Sequence, residues 1–253
     1  MNILIINGSP RKGNTWEVVK EIKSFLNTKD SSIQFEEIHL KDVTLPFCKG
    51  CYNCFEKGEN YCPHFREYSE IVDKIKSCDG LILTSPVYAL NVSALMKNFI
   101  DHTSYFYHRP YFFDKTALVV VTTAGAGLKK VTNYLSETLR NYGFNKTYKI
   151  DLKIHNQELN ENDINKVYKI SSKWIKDLQS HKLHNPSFKA IFYYNLWKNM
   201  AINNMSTKSD KDYWNLTNLK NYYFAQNIPL NLFKKFFGMI LSKVLGIVFK
   251  KLN

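Results

Sequence analysis

An α/β fold built on a doubly wound, five-stranded parallel sheet is the class this sequence predicts, and three observations predict it. Short β-rich runs alternate with helical runs from Met1 to about residue 154, a pattern that needs crossover helices between parallel strands. The first strand-like run opens directly into Gly8-Ser9-Pro10 ahead of a helical run. The composition, 44% hydrophobic with 15% aromatic and 23% charged, supplies enough apolar surface for a core and excludes a disordered chain. A length of 253 residues suits one core of about 150 to 200 residues plus an appendage.

The predicted strands are residues 2–6, 33–39, 80–84, 116–123 and 146–151. The first helix starts near Asn14, where Asn14 and Glu17 have the spacing of a capping box and Val18, Ile22, Phe25 and Leu26 share one face. Further helices are predicted at 65–77, 93–105, 128–142 and 161–179. Ligands of such sheets bind beyond the carboxyl ends of the strands, so the informative loops are those that follow each strand. Past His181 the texture changes to Tyr, Phe, Trp and Asn. This divides the chain into a domain at 1–180 and an aromatic extension at 181–253, with helical pieces near 186–203, 211–226 and 230–252 and breaks at 206–210 and 227–229. The net charge of +13 is concentrated there: residues 181–253 hold 11 basic and 2 acidic groups.

Gly8-Ser9-Pro10-Arg11-Lys12-Gly13-Asn14-Thr15 joins two glycines, two hydroxyls and two cations in front of a helix N-terminus, which is an anion site. Asn14 stands where a nucleoside-triphosphate loop needs lysine, and no G-x-G-x-x-G occurs. What remains is a pocket for one phosphate monoester, held by backbone amides and the hydroxyls of Ser9 and Thr15. The alternative is a tight strand-to-helix turn with incidental hydroxyls.

These residues, together with Ser85-Pro86-Val87-Tyr88 after the third strand and Ser93 with Lys97-Asn98-Phe99-Ile100-Asp101 in the next helix, resemble the flavodoxin-like NAD(P)H-dependent FMN reductases over roughly residues 1–150. The resemblance implies that Ser9, Arg11, Asn14 and Thr15 hold the FMN phosphate. It also implies that Pro86, Val87 and Tyr88 lie along the isoalloxazine and that Thr123, Ala124 and Gly125 close its other side. The loop 122–127 is small enough for backbone amides to approach a flat ring. His102 departs from the family, which usually has arginine after the aspartate. No catalytic side chain is expected, because the flavin carries the chemistry.

Cys48, Cys51, Cys54 and Cys62 form C-x2-C-x2-C-x7-C followed by Pro63, a spacing hard to explain as core packing. Zinc ribbons prefer two separated C-x2-C pairs, whereas an iron–sulfur cube commonly takes three ligands from such a run and a fourth from further away. The pattern resembles the compact cysteine motif of the iron–sulfur flavoproteins, implying a 4Fe-4S cluster on the flavin's side of the molecule; free or redox thiols and zinc remain open. Cys78 reads as an ordinary buried thiol. The histidines at 39, 64, 102, 108, 155, 181 and 184 show no metal spacing.

With no export signal ahead of the first strand and clustered cysteines, the chain reads as cytoplasmic. The leading expectation is an FMN-dependent oxidoreductase that passes electrons from NAD(P)H to a small acceptor such as a flavin or quinone. Its rival is a non-enzymatic electron carrier or redox-responsive binding protein. A homodimer or higher oligomer is expected, and no nucleic-acid signature appears. Phe188, Phe192, Tyr193, Tyr194 and Trp197 read as packing. The run 230–252 places Phe233, Phe237, Ile240, Leu241, Val244, Leu245 and Val248 on one arc with Lys235, Lys243 and Lys250 opposite. It is expected to dock within the protein or a dimer, with peripheral contact to an anionic membrane as the alternative.

Overall fold

The computed structural model describes residues 1–155 and 158–252. Five strands, β1 (Asn2–Asn7), β2 (Gln34–His39), β3 (Gly80–Pro86), β4 (Thr116–Thr123) and β5 (Lys146–Lys153), form one sheet in the order β2-β1-β3-β4-β5 with every neighbouring pair parallel. This is the flavodoxin-like arrangement, and it brings the carboxyl ends of all five strands to one edge. The β1–β3 junction is where the direction of winding reverses.

Period-two alternation in the strands explains why helices cover both faces. Leu4 and Ile6 of β1 point into a core completed by α3 (Phe65–Ser77), α4 (Ala94–His102) and α5 (Leu128–Asn141). Ile3 and Ile5 point the other way, against α1 (Asn14–Lys29) and α6 (Glu161–Gln179). Trp174 of α6 is fully buried there, and its indole donates to Thr116 Oγ1 at 3.0 Å. Gly80 makes that fit: a Cβ at this position would stand 2.9 Å from the Trp174 ring.

A short α2 (Asn53–Glu56) lies in the loop after β2. The extension contains α7 (Phe188–Ile202), α8 (Lys208–Leu216) and α9 (Leu232–Leu252), around a third apolar cluster that includes Ile191, Tyr194, Trp214 and Phe224 and takes Phe113 from the sheet-bearing part. The joint is electrostatic as well as apolar. Arg109, almost wholly buried, donates to Asp210 Oδ1 of α8 at 2.7 Å, while His108 Nδ1 lies 2.9 Å from Asp210 Oδ2. The His108 ring stacks on Trp197 with centroids 3.6 Å apart.

Several expectations change. No Asn14–Glu17 capping box forms: Asn14 is already the first helical residue, Gly13 precedes it without a side-chain cap, and Glu17 pairs with Lys20 instead. The helix expected at 93–105 ends at His102 and passes into a 3-10 turn, Ser104–Tyr107. The piece expected at 211–226 begins three residues earlier, because the Thr207 side chain accepts from the Asp210 N–H and starts the helix, and it stops at Leu216. Tyr194 and Trp197 pack as expected, whereas Phe188, Phe192 and Tyr193 remain exposed. In α9, Phe233, Ile240, Val244 and Val248 also face outward, whereas Phe237, Leu241 and Leu245 of the same expected arc are half-buried beside the small residues through which the helix docks.

Trp174→Ala should cost about 3–5 kcal/mol, combining a large cavity with an unpaired Thr116 hydroxyl. Urea titration of the two proteins checks this through the shift in midpoint at unchanged slope.

Candidate functional site

The site begins where β1 ends. Asn7 is buried, and its Oδ1 accepts from the Ser9 N–H at 3.0 Å and from Thr84 Oγ1 at 2.8 Å, while Nδ2 lies 3.0 Å from His39 Nδ1. The ends of β1, β2 and β3 are thereby tied by one amide. Gly8 follows with no room for a side chain, since a Cβ would come within 2.8 Å of Met96 Cβ. Ser93, the N-cap of α4, accepts from the Met96 N–H and donates to the Gly8 carbonyl. Ser9 Oγ donates to the Arg11 carbonyl at 2.6 Å, closing the turn.

The three loops after β1, β3 and β4 then enclose a cleft of about 420 Å³. Ser9, Arg11, Lys12, Gly13, Asn14 and Thr15 form one wall, and Pro86, Val87 and Tyr88 another. Thr122, Thr123 and Ala124 complete it. Thr15 and Thr122 share a buried hydroxyl–hydroxyl bond of 2.6 Å that joins the first and third loops. The second loop is a tight reversal, with Tyr88 bridged to Asn91 and Ala89 and Leu90 both at positive φ. Gly127, at φ +90°, supplies the close approach between second and third loops, because a Cβ there would lie 3.0 Å from Val87 Cγ1. Gly125 is not part of the wall; its N–H is held by Thr123 Oγ1 at 3.1 Å. Every other residue expected at the FMN site lines this cleft. Arg11 and Lys12 beside the uncapped start of a 16-residue helix make the wall below β1 attractive to an anion.

The cysteines line a second pocket, of about 280 Å³, with His64, Asp101 and His102. Helix α4 holds the loop that bears them. Asn98 Oδ1 accepts from the Cys48 N–H at 3.0 Å, and its Nδ2 donates to the carbonyls of Leu45 and Pro46, each at 3.1 Å. One turn on, His102 Nε2 faces the Pro46 carbonyl at 2.8 Å. A carbonyl only accepts, so Nε2 carries the proton; the neutral ring then presents Nδ1 as an acceptor to Cys62 Sγ, 3.8 Å away. Burial lowers the His102 pKa, which keeps the ring neutral. Arg109 completes the clamp by donating to the Cys54 carbonyl at 2.6 Å. The buried Tyr68 hydroxyl lies beside Cys62 and burial pushes its pKa far up.

Sequence reasoning missed Asn7, Tyr68 and Arg109 and set His64 and His102 aside for want of metal spacing. The motif around Asn98 was visible, but its grip on the loop 45–48 was not. Among the described residues, no three His, Cys, Asp or Glu side chains are gathered closely enough to hold a metal ion. Cys48 and Cys51 are exposed, whereas Cys54 and Cys62 are half-buried. Four thiols around one pocket are a suitable donor set for iron and sulfur, but the loop is open in this conformation.

Burial, reinforced by the neighbouring Cys62, pushes the Cys54 thiol up to about 11, and burial does the same to Cys78. A raised thiol pKa leaves the unreactive protonated form dominant at pH 8, and reactivity grows only as pH approaches that value. In protein stripped of any bound group, iodoacetamide at pH 8 should therefore label Cys48 and Cys51 first, Cys54 and Cys62 at least tenfold more slowly, and Cys78 last. Peptide mass mapping over time reads the order; early labelling of Cys54 contradicts the geometry.

Comparison with known proteins finds relatives over most of the chain. Residues 1–156 match the NADPH-dependent FMN reductase family. An iron-sulfur flavoprotein of Archaeoglobus fulgidus is 31% identical over 190 residues, 74% of this chain and 84% of that protein. One of Clostridioides difficile is 26% identical over 217 residues, 84% of this chain and 94% of that protein. Among solved structures, the apo form of an NADH:FMN oxidoreductase superposes with a TM-score of 0.52 at 19% identity, covering 72% of this chain and 90% of the other. A flavoenzyme NAD(P)H:(acceptor) oxidoreductase from Paracoccus denitrificans gives 0.52 at 18% identity, covering 72% and 99%. At such identities these structures speak to the fold. With the family matched across the whole sheet-bearing region and the archaeal relative matched over most of its length, the chain belongs to the NADPH-dependent FMN reductase family and, within it, with the iron–sulfur flavoproteins.

Proposed function

We propose that this protein is an FMN-dependent oxidoreductase that takes hydride from NADH or NADPH and passes electrons to a small acceptor such as a flavin or quinone. The observation that carries the reading is the cleft itself: three loops from the switch-point edge, one of them a cationic turn at an uncapped helix start. Its donor set fits FMN. Arg11, Lys12 and the amides at Asn14 would hold a phosphate dianion together with the hydroxyls of Ser9 and Thr15, which would turn to it from the Arg11 carbonyl and from Thr122, while Pro86, Val87 and Tyr88 offer a flat apolar wall opposite Thr123 and Ala124. Bound FMN would supply hydride acceptance and electron delivery. The protein's part is to bind, orient and exclude water, so no side chain is assigned as acid or base. In this reading residues 1–180 form the FMN-binding domain and residues 181–253 a basic helical extension. We also propose a homodimer or higher oligomer and a peripheral membrane contact through residues 230–252.

The cysteine pocket is proposed to hold a 4Fe-4S cluster on Cys48, Cys51, Cys54 and Cys62. Two features support this: all four thiols line one pocket, and α4 touches both sites. Its N-cap Ser93 reaches Gly8 at the cleft, and His102 at its other end reaches Cys62, a span of about 13 Å along a helix. Seating a cluster would require the exposed Cys48 and Cys51 to move inward, and thiolate formation would make loading pH-dependent.

Replacing Ser9 and Thr15 together by alanine should weaken FMN at least tenfold, since each hydrogen bond to a charged group contributes about 1.5–3 kcal/mol. Equilibrium titration of the folded apoprotein measures it, and unchanged affinity would remove the phosphate assignment. Steady NAD(P)H oxidation with added flavin or quinone separates the enzyme from the rival electron carrier or redox-responsive binding protein, which would be reduced once without turnover.

Protein purified without oxygen should contain about four iron atoms per chain. Cys48→Ser should lower iron and cluster absorbance while FMN stays bound, because the two sites use different loops. Stoichiometric zinc without iron, or no metal, overturns the cluster and leaves the FMN reading intact.

A further inference from the structure

Helix α9 is docked the wrong way round for a helix that serves only its own protein. Its contact face is built from small residues four apart: Gly238, Ser242 and Gly246. A Cβ on Gly238 would stand 2.9 Å from Tyr223 Cβ and 3.3 Å from Ile191 Cγ2. Asn199 Nδ2 of α7 donates to Ser242 Oγ at 3.3 Å, and a Cβ on Gly246 would lie 3.4 Å from Asn199 Oδ1. The helix thus packs closely through glycine, serine and a buried asparagine. Phe237, Leu241, Leu245 and Phe249 are half-buried beside these small residues, and the other bulky side chains face out.

That outward face is apolar from Leu232 to Ile247, with Lys243 inside one edge and Lys250 and Lys251 closing its C-terminal end. Leu232 is 86% exposed, Phe233 70%, Phe236 57% and Ile247 58%, with Ile240 and Val244 between them. At 100° per residue these six fall on one arc. Phe188 of α7, itself exposed, adds to the patch through an edge contact with Phe233 at 5.9 Å. A monomeric surface rarely leaves so long an apolar strip uncovered. No helix among the described residues is long and apolar enough to cross a membrane, so the strip does not span one.

Charge selects the occupant. Lys234, Lys235, Lys243, Lys250 and Lys251 are the only charged residues of α9. On the helical arc Lys250 shares the bearing of Leu232 and Lys243 lies between Leu232 and Phe236, so these two border the exposed apolar strip rather than standing opposite it as expected. A second copy of the same face would bring these cations against their equivalents, a like-charge juxtaposition that opposes pairing. Anionic phospholipid headgroups instead neutralise each lysine as the apolar side chains enter the boundary between headgroups and acyl chains.

From this arrangement we propose that α9 with Phe188 is an interfacial anchor that lies flat on an anionic phospholipid bilayer, its glycine–serine face toward the protein and its Leu–Phe–Ile face in the lipid. The inference refines the peripheral contact placed at residues 230–252 and is independent of the redox reading.

Flotation of the full chain tests it, with vesicles of equal phosphatidylcholine and phosphatidylglycerol compared with vesicles of phosphatidylcholine alone. The intact protein should float with the mixed vesicles, far less with the neutral ones, and less in high salt. Phe236→Asp with Ile247→Asp should lower the bound fraction at least tenfold, since apolar burial is lost. Lys243→Glu with Lys250→Glu should do the same at low salt, at about fivefold or more per position. All these positions are exposed or border the exposed face, so circular dichroism should show the variants folded, and FMN absorbance in each fraction reports the redox site separately. Failure of the intact chain to float with the mixed vesicles overturns the proposal, as does equal flotation of the aspartate variant. A dimer of the intact chain that the aspartate variant dissociates, without vesicle binding, would assign the face to a second copy instead.

Discussion

The contact between Gly8 and the start of α4 is the constraint on which the two candidate sites depend. Met96 fills the space a side chain at residue 8 would need, and Ser93 both caps α4 and donates to the Gly8 carbonyl. The turn after β1 therefore has its shape set from behind by a helix rather than by its own side chains alone. Because α4 is rigid over its length, the same helix fixes where Asn98 and His102 stand, and these two grip the loop that bears the cysteines. A cleft for one group and a pocket for another are thus referenced to a single element.

Around that element buried polar groups tie separate segments together, although His64 Nε2 beside the cysteine pocket has no hydrogen-bond partner among the described residues. Asn7 joins three strand ends with one amide, and Thr15 and Thr122 join two loops with one hydrogen bond. Arg109 is the counterpart on the other side. It donates to Asp210 in the extension and to the Cys54 carbonyl, so the position of α8 is tied to the cysteine loop. Breaking a buried pair of this kind by removing one partner is far more damaging than leaving it unmade, which binds the extension to the site it borders.

The extension obeys a different surface logic from the sheet-bearing part. There, α1 and α6 bury Val, Ile and Trp and expose charge. In α9 glycine and serine sit in the contact face beside half-buried Phe237, Leu241 and Leu245, while Leu232, Phe233, Phe236 and Ile247 face out. Close approach through small residues gains dispersion contact and releases the large side chains for another surface. Lysines as the only charges on that helix give the outer surface one sign of electrostatic preference.

The sequence by itself determined the strands, most helices and the loops that carry Gly8–Thr15, Pro86–Tyr88 and the four cysteines, because each is encoded by local periodicity or spacing within a few residues. Nine of the ten residues it marked for an FMN site line one cleft. Only the tertiary structure decided what joins them. Asn7 meets Thr84 across 77 residues, Asn98 meets Cys48 across 50, and Arg109 meets Asp210 across 101, and no local pattern marks such partners. The Asn14–Glu17 spacing suggested a cap that the actual helix start does not use. The direction of α9 was likewise undecided in sequence, since a helix with apolar residues on most of its circumference can dock by either side. Steric fit of Gly238 against Tyr223 and of Ser242 against Asn199 set the contact face, with Phe237, Leu241 and Leu245 half-buried beside it, and left Leu232, Phe233, Phe236 and Ile247 facing out.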